Sequence, residues 1–244
     1  MLMSAKPLVL VVNGSPRKYG SSTQLSYVAA KGVEDAGGVA ELVHLYDYDV
    51  KPCIGCVSDG VKYCRFPCVL NDDFNKLGKK VLQADGLIIS TPVYWYAPSG
   101  VLKNFIDRLT SMENMIFHEA RRSLLEGKVV GFIAAGLDAG VFMTVSYLMS
   151  VLNSMGAVVA PWSMAYTHSD DVTKDSSALM DAYNVGYLVV ETIKALKAYG
   201  KHIGYNPSVN VAELAEVARR AVNNDERNTR IRMLEELLSA TLSI

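Results

Sequence analysis

The sequence predicts an α/β protein built on a parallel sheet with helices on both faces. Three observations lead there. Short apolar, β-branched runs recur along the chain, each run ends in a loop rich in glycine or serine, and segments with apolar residues at helical spacing lie between the runs. A length of 244 residues, half of them apolar, suits one such domain with an appendage.

The first run, "KPLVLVVNGS", reads as a buried parallel strand followed by a loop. "SSTQLSYVAAKGVEDAGG" begins with serines and a threonine and ends on Gly37 and Gly38, which predicts an N-capped helix with a glycine stop. "VAELVHLYDYDV" predicts the second strand. Residues 51–71 form a long irregular connection, a kind of segment that usually carries function. Asp72 or Asp73 is placed to cap a helix running from about residue 73 to about residue 83. The pattern then repeats. "DGLIIST" is a strand, "PVYWYAPSG" a loop, "VLKNFIDRLTSM" a helix and "KVVGFIAAG" a strand. A helix near 141–155 and a strand near 157–164 follow, and "SSALMDAYNVGYLVVETIKALKAYG" predicts a closing helix.

This places one domain over residues 1–165 and a helical extension over 166–244. In the extension, "AELAEVARRAV" and "IRMLEELLSATL" carry apolar residues at helical spacing opposite charged faces. Such faces need a surface to cover, and a subunit contact is the expectation.

Charge and composition exclude several classes. The net charge is -1, so no basic surplus exists to displace phosphate counterions, and nucleic acid is not an expected partner. No apolar run is long enough to span a bilayer, and the run from Leu8 to Val12 is too short for a signal peptide. The expectation is a soluble cytoplasmic protein without a membrane partner. No G-x-S-x-G is present and Ser15 has no base at suggestive spacing, which argues against a hydrolase. His44, His118, His168 and His202 are dispersed and read as structural or surface residues.

Open α/β sheets bind ligands at the carboxyl ends of their strands. Three loops should converge there: "NGSPRKYGSST", "TPVYWYAPSG" and "AAGLDAG". The first contains neither G-x-G-x-x-G nor a P-loop. It offers Ser15, Ser21, Ser22, Thr23 and the cation Arg17 between a strand and a helix N-terminus, a set that can cradle a phosphate monoester. The other reading is that Ser21 to Thr23 only cap the helix and Arg17 is solvated. The second loop holds Tyr94, Trp95 and Tyr96 between two prolines. They can flank a flat heterocycle, or fill the core or a subunit interface. Asp138, between glycine-bearing turns, can accept from a ring or close its own turn.

"NGSPRKYGSST", "DGLIISTPVYWYAPSGVLKNFIDR" and the intervening "KPCIGC…C…DDF" together resemble the NADPH-dependent FMN reductase-like family of flavodoxin-like proteins, over roughly residues 6–165. The resemblance implies a doubly wound five-stranded parallel sheet and an FMN cofactor. It implies that Ser15, Arg17, Ser21 and Ser22 hold the FMN phosphate, with Thr23 assisting. Pro92, Val93, Tyr94 and Trp95 would line the isoalloxazine, and residues 136–140, with Gly136, Asp138 and Gly140, would approach its other side. Lys103, Asp107 and Arg108 fall on the "LKNFIDR" helix, where packing or subunit contact is expected. Family members often bind NAD(P)H transiently over the flavin, and no nicotinamide motif is present here.

All four cysteines of the chain, Cys53, Cys56, Cys64 and Cys68, lie in the connection after the second strand, separated by two, seven and three residues. Clustered thiols in a reducing compartment are more often metal ligands or redox groups than disulfides. The compact cluster is similar to that of the iron–sulfur flavoproteins, which implies a [4Fe-4S] cluster beside FMN. The seven-residue gap is longer than in those relatives. A structural zinc site and plain thiols or disulfides stay open.

The resulting expectation is an FMN-dependent redox enzyme that couples two-electron flavin chemistry to one-electron transfer. The resemblance also implies a homodimer or homotetramer, and a redox partner such as a ferredoxin or a quinone is expected. The alternatives are an NAD(P)H-dependent FMN or quinone reductase without a cluster, a non-catalytic electron carrier, and a zinc-stabilised binding protein.

Overall fold

A computed structural model describes residues 5–201, 203–221 and 224–242. His202 lies outside the described residues. Strand β1 (Leu8–Asn13) leads through a loop into helix α1 (Ser21–Asp35). β2 (Val39–His44) follows, then the cysteine connection and α2 (Phe74–Gln83). β3 (Gly86–Tyr94) turns into the two-residue β4 (Ala97–Pro98) and α3 (Gly100–Glu113). β5 (Val129–Ala135), α4 (Val141–Ser154), β6 (Val158–Thr167) and α5 (Ser176–Tyr199) complete the alternation.

Five strands run parallel in the order β2-β1-β3-β5-β6, and β4 pairs antiparallel with β3. The order reverses beside β1, between β2 and β3, so the loops after β1 and β3 leave a crevice between them. The two-residue period of the strands divides the core into two layers. Leu10, Val12, Leu87, Ile89, Val130 and Phe132 pack with α2, α3 and α4. Val9, Val11, Ile88, Val129 and Ile133 pack with α1 and α5. Helices α1 and α5 approach so closely that a Cβ on Gly186 would lie 1.9 Å from the Ala29 carbonyl oxygen.

Three local expectations are corrected. The serines do not cap α1: its N-cap is Gly20, which makes no side-chain cap bond, and Ser21 and Ser22 already belong to the helix. The loop after β3 is a tight hairpin, with Trp95 and Tyr96 both in the left-handed region at φ 50° and 64°. The compact unit does not stop at residue 165. It runs to Gly204, because β6 continues to Thr167 and α5 buries Val185, Val189 and Val190 in the core layer that covers one face of the sheet.

Residues 205–244 form a separate unit containing α6 (Val211–Arg220) and α7 (Asn224–Leu242). Asn210 caps α6 by accepting from the Ala212 and Glu213 N–H groups, while Val211, Leu214 and Val217 are exposed.

Candidate functional site

The carboxyl edge of the sheet carries a cleft of about 620 Å³, inside the ~300–1,000 Å³ usual for small-molecule sites. The loops beside it are tied together by buried hydrogen bonds. Gly14 N–H donates to the Ser90 carbonyl at 2.8 Å, and Ser99 Oγ donates to the Gly14 carbonyl at 2.7 Å. Ser99 N–H donates in turn to Thr91 Oγ1 at 3.0 Å. The loops after β1 and β3 and the start of α3 thus share one polar seam.

The β1 loop is wound around the Arg17 carbonyl. Ser15 Oγ, Thr23 Oγ1 and Gly20 N–H all donate to it, at 3.0, 2.8 and 3.0 Å. Asn13 Nδ2 donates to Thr23 Oγ1 at 2.8 Å. The backbone is spent inward, and the ligand-facing groups are left over. The N–H groups of Ser21, Ser22 and Thr23 sit in the first turn of α1, where a helix offers no acceptor, and Gly20 supplies none. Among the described residues the Arg17 guanidinium and the Ser21 and Ser22 hydroxyls have no protein partner. Orphan donors beside an unpaired cation fit a phosphate dianion. The missing cap that the sequence reading expected is therefore what keeps the cradle open.

Ser15, Arg17, Ser21, Ser22, Pro92, Val93, Tyr94, Trp95, Gly136 and Asp138 all line this cleft. Thr23 and Gly140 do not. The Thr23 hydroxyl is turned into the loop, and Gly140, at φ 105°, sits under the hairpin, where a Cβ would come within 2.9 Å of the Tyr96 Cα. Trp95 is 94% exposed at the hairpin tip. Asp138 Oδ1 accepts from the Ala139 N–H at 2.7 Å and so closes its own turn. Tyr96, one of the three loop aromatics, lines it too, and so do Tyr19, Gln24, Ser169 and Asp170, which the sequence does not single out. The rule that ligands sit at strand carboxyl ends, applied to the loop after β6, would have found the last two.

A second, smaller recess is lined by Cys53, Cys56, Cys64 and Cys68, together with Asp107, Arg108 and Ser111 of α3. All four cysteines are free thiols. Among the described residues no three or more His, Cys, Asp or Glu side chains close on one metal ion, and the recess that the cysteines line holds about 10 Å³. Burial, and then the neighbouring Cys56, Cys68 and Cys53, push the Cys64 thiol up to about 12. The buried Cys64 thiol stays protonated on its own, and a cationic metal centre is what would make it favourable as a thiolate.

Polar side chains anchor the connection around this recess. Asn114 Nδ2 donates to the Cys64 carbonyl at 2.5 Å and the Val61 carbonyl at 2.9 Å. His118 Nε2 lies 3.0 and 3.1 Å from the same two carbonyls, so Nε2 carries the proton. The sequence reading treated His118 as structural; its spacing of four from Asn114 puts both on one side of the chain here. Arg108 and Asp72 form a fully buried bidentate pair at 2.6 and 3.1 Å. Asp72 Oδ1 also accepts from Phe74 N–H, so Asp72 serves the start of α2, while Asp73 is its N-cap without a side-chain cap bond.

With this geometry in place, comparison with known proteins decides the family. Residues 7–170 match the NADPH-dependent FMN reductase family. The chain belongs to that family. It is an oxidoreductase of the flavin-dependent kind, and every residue lining the cleft falls within the matched stretch. An iron–sulfur flavoprotein of Archaeoglobus fulgidus is 30% identical over 154 residues, 63% of this chain and 66% of that relative. An iron–sulfur flavoprotein of Methanocaldococcus jannaschii is 28% identical over 202 residues, 78% of this chain and 98% of the relative. Against the first of these relatives, the chain spans just under two thirds of the length. The fold of this reductase is that of RosB, whose structure contains 8-demethyl-8-formylriboflavin-5'-phosphate. The TM-score is 0.68 at 17% identity, covering 89% of this chain and 88% of RosB. No described helix is long and apolar enough to cross a membrane.

Proposed function

We propose that this chain is an iron–sulfur flavoprotein that binds FMN in the edge cleft and a [4Fe-4S] cluster on Cys53, Cys56, Cys64 and Cys68. The observation that carries the reading is the convergence of all four cysteines on one recess against α3. The names of two relatives support it. Bound together, FMN supplies two-electron chemistry and a cluster supplies one-electron transfer.

The chain's own residues do the rest. Arg17 and the first-turn N–H groups of α1 hold the phosphate end. Pro92 to Trp95 and the 136–140 loop flank the ring, and the exposed hairpin tip leaves one side open to a transient NAD(P)H donor. Helix α3 joins the two sites, since Ser99 at its start braces the flavin loops and Arg108 lines the cysteine recess. Ser99 and Arg108 are nine steps apart in sequence, about 13 Å along a helix axis. The exposed Phe142 and Met143 on α4 and the apolar face of α6 support a homodimer or homotetramer.

A second reading, an NAD(P)H-dependent flavin or quinone reductase whose cysteines remain thiols, is favoured by one observation, the small volume of the recess that the cysteines line. Anaerobic purification with iron, acid-labile sulfide, zinc and released flavin measured on one sample separates the two. About four irons and four sulfides per chain support the cluster; flavin without iron leaves the plain reductase.

A further inference from the structure

The buried arginine of α3 is unexplained by packing alone. Arg108 is 1% exposed and the largest fully buried side chain among the described residues. Its two Nη atoms are committed: one donates to Asp72 Oδ2 and the Lys51 carbonyl, the other to Asp72 Oδ1. Its Cζ lies 4.7 Å from the centre of the Phe74 ring, which covers one face of the guanidinium. Its Nε is buried and has no acceptor. A buried N–H left unpaired is costly, so a native protein has reason to supply a partner when it is loaded. Arg108 lines the same recess as the four cysteines. Burial works against its charge, but Asp72 and the nearby Cys68 sulfur outweigh that and favour the charged form.

We infer that Arg108 is a positioning residue for the cysteine-bound group: its unpaired Nε–H donates to the Cys68 sulfur when that sulfur is a cluster thiolate, and raises the reduction potential of the cluster. The inference rests on the iron–sulfur reading above. The physical ground is that hydrogen bonds to cluster sulfurs favour the reduced, more negative state. Asp72 has a separate part. It neutralises the guanidinium on the side away from the sulfur and binds the Lys51 N–H at 3.0 Å, so both ends of the cysteine connection meet at this pair.

The test is a redox titration of the reconstituted protein, followed by electron paramagnetic resonance, with the flavin couple in the same sample as an internal reference. Arg108→Gln combined with Asp72→Asn removes the charge without leaving a buried carboxylate unpaired, and Arg108→Lys keeps the charge but loses the Nε–H. The double variant is expected to make cluster reduction roughly ten-fold or more less favourable, the size of one charge-assisted bond. The Lys variant should fall between it and the wild type, with the flavin couple unmoved. A cluster potential equal to wild type in both variants overturns the inference and leaves the cluster reading intact. Loss of the cluster from both variants overturns it too, by showing that Arg108 only holds the connection. Wild-type protein that takes up no iron or sulfide sinks the cluster reading and this inference together.

Discussion

Asn75 and Cys68 bond each other twice. Asn75 Oδ1 accepts from the Cys68 N–H at 2.8 Å, and Asn75 Nδ2 donates to the Cys68 carbonyl at 2.9 Å. One side chain from the first turn of α2 thus mimics a strand partner for the last cysteine. Asn75→Ala leaves both backbone groups without their partner at a half-buried position, which costs about 1–3 kcal/mol. Urea unfolding should show that loss, and, on the proposed cluster reading, iron retained per chain should fall further than the stability change alone explains. Retention at the wild-type level would mean that Cys68 is not held in place by this pair.

The phosphate cradle makes a separable claim. Arg17 has no protein partner and its removal disturbs no internal bond made by its side chain. Arg17→Ala should therefore leave folding unchanged and weaken FMN binding to apoprotein by roughly ten-fold or more, the loss of a charge-assisted bond. Riboflavin, which lacks the phosphate, is the control. Its affinity should not respond to the substitution, and an equal loss for both flavins would show that Arg17 acts on the loop and not on the phosphate.

Gly140 tests the hairpin. A methyl group there would sit 2.8 Å from the Tyr96 ring and 2.9 Å from its Cα, at a φ of 105° that side chains resist. The strain can be relieved only by moving the turn that carries Trp95. Gly140→Ala is expected to lower flavin affinity several-fold and change the flavin's fluorescence quenching, with the thermal midpoint falling by only a few degrees, in line with ~1 kcal/mol of backbone strain. Unaltered quenching would place the flavin ring away from the hairpin.

How much of this was legible in the sequence depends on the range of the interaction. The parallel sheet followed from β-branched runs such as Leu8 to Val12 and from the helical spacing between them, and the loops at the strand ends followed from the sheet. The N-cap of α1 was misplaced because Ser21, Ser22 and Thr23 have capping propensity whether or not they cap. The Thr23 hydroxyl instead bonds the Arg17 carbonyl, several residues back, and Ser21 and Ser22 fall inside the helix after the Gly20 N-cap. The end of the compact unit was set too early, because α5 belongs with it through burial against the sheet, and burial is not a property of the segment itself. The anchors of the cysteine connection, Asn114, His118 and Arg108, lie 36 to 57 residues from their partners. Nothing local marks them.

The Asp72–Arg108 pair predicts how stability responds to pH. Burial pushes the Asp72 carboxyl up, but the Arg108 guanidinium and the Lys51 and Phe74 N–H groups more than offset it and hold the carboxyl below its ordinary value. A carboxyl with a depressed folded pKa binds its proton more readily in the unfolded chain. Its contribution is then present above about pH 4, the ordinary unfolded value, and is lost as pH falls through the folded value. Asp72→Asn removes the charge at every pH and strands a buried guanidinium, for which about 3–5 kcal/mol is the usual cost. Urea midpoints of the two proteins should differ most at neutral pH and converge as the pH drops below about 4. A gap that stays constant across that range would show that the carboxylate charge is not what stabilises this pair.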